Sequence, residues 1–421
     1  MKIALILPST KILTKLHFLP IGLSYLAAIA QKKGFSVSVF FKKTWKEIAE
    51  ELEANLDEFN LVGMQTFATN IEQCLSLACW IKERKPDMKI VFGGVHAANF
   101  PEDILFNYPV DMIIKGEGEI AFEHILEKIS NGNPLTDIPN SIWKEENSLK
   151  LSSESSIMHN LDDLPYPAWE FFYREKPIST GHISTFRGCP YNCANCPSRT
   201  NEEGTVREYS VSRVIDEMSI LSYKYGASSF EFYDETFGLN RSRTLDICKA
   251  ICSSFKNISW SCYTRVRHVD KELLQSMKAS GCKSIFYGVA TTRKHLMDIL
   301  RFHNDLAEVK QKIRLTRETG IKTTVSFLVG IPGEKFSDSV STIKYGLSLD
   351  ADRIVFQPCI PFPGSHLYET AKKCGKFIVD DLSKLEGWNK TFFIPQGRSA
   401  SGINSTLFMA KSLSKIKTFL F

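Results

Sequence analysis

The chain has 421 residues, 43% of them hydrophobic and 24% charged, and its basic residues exceed its acidic ones by 52 − 47 = 5. That length suits two or three domains with real cores. The small positive excess, spread without a dense basic block, does not imply nucleic acid as the main partner.

No membrane span is expected. The longest apolar stretch, Phe18 to Ala30, is broken by Pro20, Gly22 and Ser24, and Met1 to Leu7 ends at Pro8, too early for an export signal. Eleven cysteines in a chain read as cytoplasmic point to core thiols, metal ligands or redox groups rather than disulfides.

Residues 2–7 read as a buried strand, followed by a loop to Pro20 and a helix over 22–33, with Gly34 placed to cap it. Strands follow at 35–41, 60–65, 89–93 and 111–115, and helices at 44–57, 70–84, 101–107 and 119–130. Five strand–helix repeats imply an α/β domain over 1–133, a parallel sheet wound on both faces in the Rossmann manner. Ligands of such sheets lie beyond the carboxyl ends of the strands, which selects loops 8–20, 65–70, 93–101 and 115–119.

Five prolines and a polar run break the rhythm over 134–178, which reads as a linker or wrapping segment. A second series then begins, with strands at 182–187, 229–234, 258–265, 283–288, 322–329 and 353–358 and helices at 211–225, 240–255, 270–280, 305–319 and 337–348. Six units are too few for a closed eight-unit barrel, so 179–375 reads as a partial (β/α)6 barrel with chemistry at the carboxyl ends of its strands. A tail over 376–421, with Trp388, Phe392 and Phe393 and an amphipathic helix from Leu407, is expected to cover its open side.

The strongest local signal is Arg187-Gly-Cys-Pro-Tyr-Asn-Cys-Ala-Asn-Cys-Pro197. Cys189, Cys193 and Cys196 stand at C-x₃-C-x₂-C spacing just after a strand. Thiolates are soft ligands that suit an iron–sulfur cluster or zinc. Three of them leave one iron of a four-iron cluster open, whereas a structural zinc site needs a fourth ligand. Of the remaining cysteines, Cys74 and Cys79, the pair Cys248 and Cys252 on one helix, and Cys262 and Cys282 read as core. Cys359 also reads as core, with its place at a strand's carboxyl end offering the alternative of facing a substrate.

This motif after the first strand of a partial barrel resembles the radical S-adenosylmethionine enzymes. The resemblance implies that the cysteines hold a 4Fe-4S cluster whose open iron binds S-adenosylmethionine. It extends to Tyr233-Asp-Glu-Thr-Phe237, where Tyr233 and Glu235 would contact the cofactor, and to Cys262-Tyr-Thr-Arg265, where Arg265 would pair bidentately with the methionine carboxylate. In Phe327-Leu-Val-Gly-Ile-Pro-Gly-Glu334, Gly330 and Gly333 would let backbone approach the adenine. Two positions depart from the family: Asn195 replaces a bulky residue, and Gly288-Val-Ala-Thr291 lacks an acid.

The first domain is similar to the cobalamin-binding domain of one branch of this superfamily, through Pro20-Ile-Gly-Leu-Ser-Tyr-Leu-Ala-Ala28, Gly93-Gly-Val-His96 and Lys115-Gly-Glu-Gly-Glu119. Gly22, Gly93, Gly94, His96, Gly116 and Glu117 are its implied cofactor contacts. The motif Asp-x-His-x-x-Gly is absent, so cobalt is expected without a histidine beneath it, and His96 is expected at the corrin side chains or nucleotide tail. The implied function is methylation of an unactivated carbon, or phosphorus, in a small-molecule or natural-product substrate. It would use a 5′-deoxyadenosyl radical, methylcobalamin and electrons from a flavodoxin or ferredoxin. A non-methylating enzyme such as an oxidative cyclase, and a cluster- and cobalamin-binding sensor without turnover, are the alternatives.

Overall fold

The computed structural model describes residues 1–10, 19–173, 177–196, 205–378 and 391–420. They form two compact units, one ending at residue 173 and the other beginning at 177. No helix among the described residues is long and apolar enough to cross a membrane.

In the first unit, β1 (Lys2–Leu7), β2 (Ser36–Phe41), β3 (Phe59–Gln65), β4 (Lys89–Gly93) and β5 (Met112–Ile114) run parallel, joined by helices. The sheet order is β2-β1-β3-β4-β5, so the winding reverses between β1 and β3. Right-handed crossovers then send helices to both faces. Helix Ile21–Lys32 packs beside Glu119–Ser130, and Trp45–Glu53 beside Ile71–Arg84. Ile6, Val62, Met64, Ile90, Phe92 and Ile113 make one core with Ile48, Leu52, Cys74, Ala78 and Ile81 from the helices. The strands, buried on both faces, read as continuous apolar runs for that reason. The helix expected over 44–57 is shorter: Thr44 and Glu47 form a capping box, but the helix stops at Glu53 and a single 3₁₀ turn follows.

The segment 134–178 is not a free linker. Residues Ser141–Glu145 (β6) and Ser148–Leu151 (β7) make a hairpin that adds two antiparallel strands beyond β5. Asn140 ties its base, donating from its side chain to Ser156 O at 2.6 Å and accepting from Ser156 N at 3.0 Å. The prolines lie outside the hairpin, so they do not interrupt its ladder.

In the second unit, β8 (Gly181–Ile183) precedes a two-stranded antiparallel ribbon of β9 (Phe186–Arg187) and β10 (Arg207–Glu208). Then come β11 (Ser229–Phe232), β12 (Ser259–Thr264), β13 (Cys282–Ala290), β14 (Lys322–Val329) and β15 (Arg353–Pro358). The order β15-β14-β13-β12-β11-β8 is sequential and parallel throughout, the topology of an open six-strand barrel. Alternate residues, such as Phe230, Phe232, Trp260, Cys262, Ile285, Tyr287, Val325 and Phe327, are buried beneath the helices, and those between them face the lumen.

After β15, Gly375–Phe377 (β16) pairs with Phe393–Pro395 (β17), burying Phe392 and Phe393. Trp388 lies outside the described residues. The last helix begins at Ala400, earlier than Leu407, and packs on the edge strand: the Ser414 hydroxyl donates to Ile354 O at 2.6 Å.

Candidate functional site

The strand expected over 182–187 is split at Ser184 and Thr185, and this split positions the cysteines. Asp234, buried just past β11, accepts from the Thr185 N–H and the Thr185 hydroxyl at 2.6 Å each, and from Phe186 N at 3.3 Å. The Arg243 guanidinium donates to Thr185 O at 2.7 Å and to Tyr209 O at 2.6 Å. The chain thus leaves the ladder after β8 without leaving these polar groups unpaired. Burial pushes the Asp234 carboxyl up to about 6, against the hydrogen bonds from Thr185 and Phe186 and the charge of Arg243. Next comes Gly188 at φ +90, where a Cβ would lie 2.0 Å from Thr205 O; only glycine fits there.

Cys189, Cys193 and Cys196 follow, each part-exposed. The loop is pinned through Ala194, whose N–H donates to Leu300 O at 2.8 Å and whose carbonyl accepts from Leu367 N at 2.7 Å. Beneath it, Ala194 joins Leu296, Leu300, Ile331, Cys359 and Leu367 in an apolar cluster. This agrees with the core reading of Cys359 and removes its alternative: it is 2% exposed, and burial pushes its thiol well above the ordinary range, so it packs under the loop and does not face a substrate. Cys252 is corrected. It is exposed, while Cys248 on the same helix is buried.

Arg265 reaches the loop. Its Nη2 donates to Cys193 Sγ at 2.7 Å, and its guanidinium carbon lies 3.5 Å from the Tyr191 ring centre and 4.2 Å from that of Phe302. Two aromatic faces hold the cation, which removes most of its rotamer freedom. Tyr191 is itself hydrogen-bonded through its hydroxyl to His268 Nε2. Burial raises the Cys189 and Cys193 thiols, with Arg265 opposing the rise in both. A cation beside two of the three thiols favours their thiolate form, which is the form that binds a metal. Among the described residues, no three His, Cys, Asp or Glu side chains gather around a point as a single metal ion requires. A four-iron cluster takes each thiolate on a different iron and accepts a wider spread.

The other residues expected near the cofactor lie at the ends of β11, β13 and β14. Glu235 is exposed and close enough to Cys189 for its charge to raise that thiol. Tyr233 turns into the barrel, its ring 4.8 Å from that of His182. Gly330 (φ +86) and Gly333 (φ +81) make the turn after β14, where the Gly330 N–H donates to the buried Glu334 carboxylate. Where the family's acid is missing, Ala290 stands at φ +66 and β13 shifts register against β14. Asp234, Arg243, Tyr191 and Phe302 were not singled out from sequence. Asp234 stands beside Glu235 in the same motif, but nothing local marks Arg243 or Phe302.

In the first unit, the expected residues cluster at the carboxyl ends of β3, β4 and β5. Gly94, at φ +98, lets Gly93-Gly94 cross Thr66: a Cβ there would lie 2.5 Å from Thr66 O. The Thr66 hydroxyl donates to Gly93 O at 2.8 Å and accepts from Ala97 N at 3.0 Å. His96 packs on Phe100 with ring centres 4.9 Å apart. Beside Gly93 there is open space, and the Gln65 side chain, facing Gly22, holds a buried Oε1 with no hydrogen-bond partner among the described residues. Exposed glycine backbone and an unsatisfied amide acceptor fit a broad ligand edged with amide donors, as a corrin is. Gly116 is at φ +82, and the Glu117 carboxylate accepts from Met158 N at 3.4 Å, which gives it a role in fastening the hairpin segment. Residues 11–18 of the first expected loop lie outside the described residues.

Comparison with known proteins agrees with both halves. A model of the B12 binding domain matches residues 12–126, and one of the radical SAM superfamily matches 183–345. An uncharacterised methyltransferase of Pyrococcus horikoshii is 28% identical over 93% of this chain and 86% of its own length. An anaerobic magnesium-protoporphyrin IX monomethyl ester cyclase of Cereibacter sphaeroides is 24% identical over 87% of this chain and 62% of its own. The fold is that of TsrM from Kitasatospora setae, a radical S-adenosylmethionine methyltransferase solved with cobalamin and a [4Fe-4S] cluster: the TM-score is 0.75 at 21% identity, covering 89% of this chain and 78% of TsrM.

Proposed function

We propose that this chain, which carries a B12 binding domain followed by a radical S-adenosylmethionine domain, transfers a methyl group to an unactivated carbon, or to phosphorus, of a small-molecule substrate. The observation that carries this reading is the three-cysteine loop with the Arg265 guanidinium fixed at Cys193. When bound, the cluster supplies a low-potential electron, S-adenosylmethionine the radical initiator and the methyl group, and cobalamin the methyl carrier.

The chain's own residues bind, orient and shield. Cys189, Cys193 and Cys196 hold the cluster on a loop braced at Ala194. Arg265 offers a forked donor to a carboxylate, and Tyr191 and Phe302 keep that fork in one plane. Glu235, whose charge acts on Cys189, and Tyr233 two residues before it would contact the cofactor, and the turn at Gly330 and Gly333 would offer backbone to the adenine. In the first unit, Gln65, Gly22, Gly93, Gly94 and His96 would hold the cobalamin, with Gly116 and Glu117 shaping the loop beyond β5. A flavodoxin or ferredoxin would deliver the electron.

The cyclase relative favours one second reading, radical chemistry that leaves no methyl group behind. Deuteromethyl-labelled S-adenosylmethionine separates the two. A product heavier by the labelled methyl supports methyl transfer, and a product with no label and a new ring or double bond supports the second.

A further inference from the structure

The barrel's inner wall carries a group that the cofactor chemistry does not use. Glu231 lies in the middle of β11, with its side chain 27% exposed. By the alternation of buried and lumen-facing positions, it is the one carboxylate among the described inward positions of the six strands. Lysine and arginine occur at those positions only as Lys322 and Arg353, at the amino ends of β14 and β15 on the far wall.

Among the described residues, no lysine or arginine pairs with Glu231, and the one ion-pair partner within 4 Å is His182, charged only when protonated. The Tyr263 hydroxyl donates to Oε1 at 2.8 Å, and His182 Nε2 stands 3.8 Å from Oε2, beyond hydrogen-bond reach. The surrounding surface is aromatic. His182 packs on Tyr233, and Tyr263 on Phe286 with ring centres 5.3 Å apart. Tyr263 remains 40% exposed, so the cluster is open to a ligand. A carboxylate among aromatic faces is the arrangement that recognises an organic cation, because the carboxylate and the ring faces both attract positive charge. An anion would meet repulsion there, and a neutral ligand would leave the carboxylate desolvated without a charged partner.

We propose that Glu231, flanked by Tyr263, Tyr233 and His182, is the docking point for a protonated amine carried by the substrate, next to an aromatic or apolar body. This rests on the barrel being the reaction chamber. It narrows the substrate to a class the cofactors do not specify.

The test uses holoenzyme reconstituted anaerobically with iron, sulfide and cobalamin, and two matched probe pairs, tryptamine with tryptophol and phenethylamine with phenethyl alcohol. Ligand-observed saturation-transfer NMR gives the affinities. In wild type, each amine should bind at least about tenfold tighter than its alcohol, the scale of one charge-assisted hydrogen bond. E231Q, with cluster and cobalamin content confirmed by absorbance, should abolish that preference. E231D should keep it at lower affinity, because the charge remains but is set back by one methylene. Amines that bind wild type no better than alcohols, a preference that survives E231Q, or amine affinities that E231D leaves unchanged would each overturn the proposal. Failure of the enzyme reading is separate: wild type would then form no 5′-deoxyadenosine, whatever the probes do.

Discussion

Asp234 accepts both the backbone N–H and the hydroxyl of Thr185, at 2.6 Å each, and so joins the end of β11 to the point where the cysteine loop leaves the barrel. D234A removes a buried acceptor shared by Thr185 and Phe186 and leaves Glu208, 3.8 Å from the Arg243 guanidinium, as the carboxylate beside Arg243. A loss of about 2–4 kcal/mol is expected from one broken buried polar network. D234N keeps an acceptor for the backbone and should cost less. Denaturant midpoints together with iron content check this: D234A should lose both stability and iron, and full iron loading would show that the loop does not depend on this bond.

Arg265 should prove irreplaceable by lysine. An ammonium carries the charge but cannot lie flat between Tyr191 and Phe302 or offer a forked pair of donors. R265A and R265K should both weaken S-adenosylmethionine binding, by about tenfold to a hundredfold for the loss of a charge-assisted bidentate contact. Equilibrium binding to the reconstituted enzyme measures this, and a lysine variant with wild-type affinity would remove Arg265 from the cofactor's carboxylate.

Gly94 offers an independent handle on the first unit. G94A combines a φ of +98 with a Cβ 2.5 Å from Thr66 O, so the Gly93-Gly94 crossing has to move. The strain costs at least about 1 kcal/mol. The expected phenotype is a loss of bound cobalamin with iron retained, read as the ratio of cobalt to iron after reconstitution. An unchanged ratio would contradict the placement of cobalamin at this turn.

The Glu334 carboxyl, fully buried and accepting the Gly330 N–H, is pushed up to about 7, chiefly by burial. Among the described residues its Oε1 has no hydrogen-bond partner, which suits the uncharged acid. The folded pKa is above the unfolded one, so the folded state holds this proton longer. Stability from this group is therefore full below about pH 4 and falls, by up to about 3 kcal/mol, as pH rises towards 7. E334Q should flatten that part of the stability–pH curve, measured by denaturation at a series of pH values. An unchanged slope would place the pH dependence elsewhere.

In β1 and β4, whose runs are almost wholly buried, and in β14 and β15, which alternate buried and lumen-facing residues, the apolar pattern and bounding turns are legible and the expected spans agree with those observed. The hairpin of β6 and β7 was not legible, because the prolines around it mark a loop and its strands pair only through tertiary contact with β5. The cysteine spacing is a local signal and was read directly. The bracing of the loop is not local. Asp234 meets Thr185 across 49 positions and Arg265 meets Cys193 across 72, so no spacing rule brings them together. Cys359 keeps two readings at the level of sequence because a strand's carboxyl end has two faces, and only packing against Ala194 and Leu367 decides for the core.

Anaerobic reconstitution, with metals quantified and S-adenosylmethionine cleavage assayed under dithionite, tests the central claim most directly. The account predicts about four iron and about one cobalamin per chain, with reductant-dependent 5′-deoxyadenosine that is lost when any of Cys189, Cys193 or Cys196 becomes alanine. A chain that takes up zinc in place of iron, binds no cobalamin and forms no 5′-deoxyadenosine would contradict it.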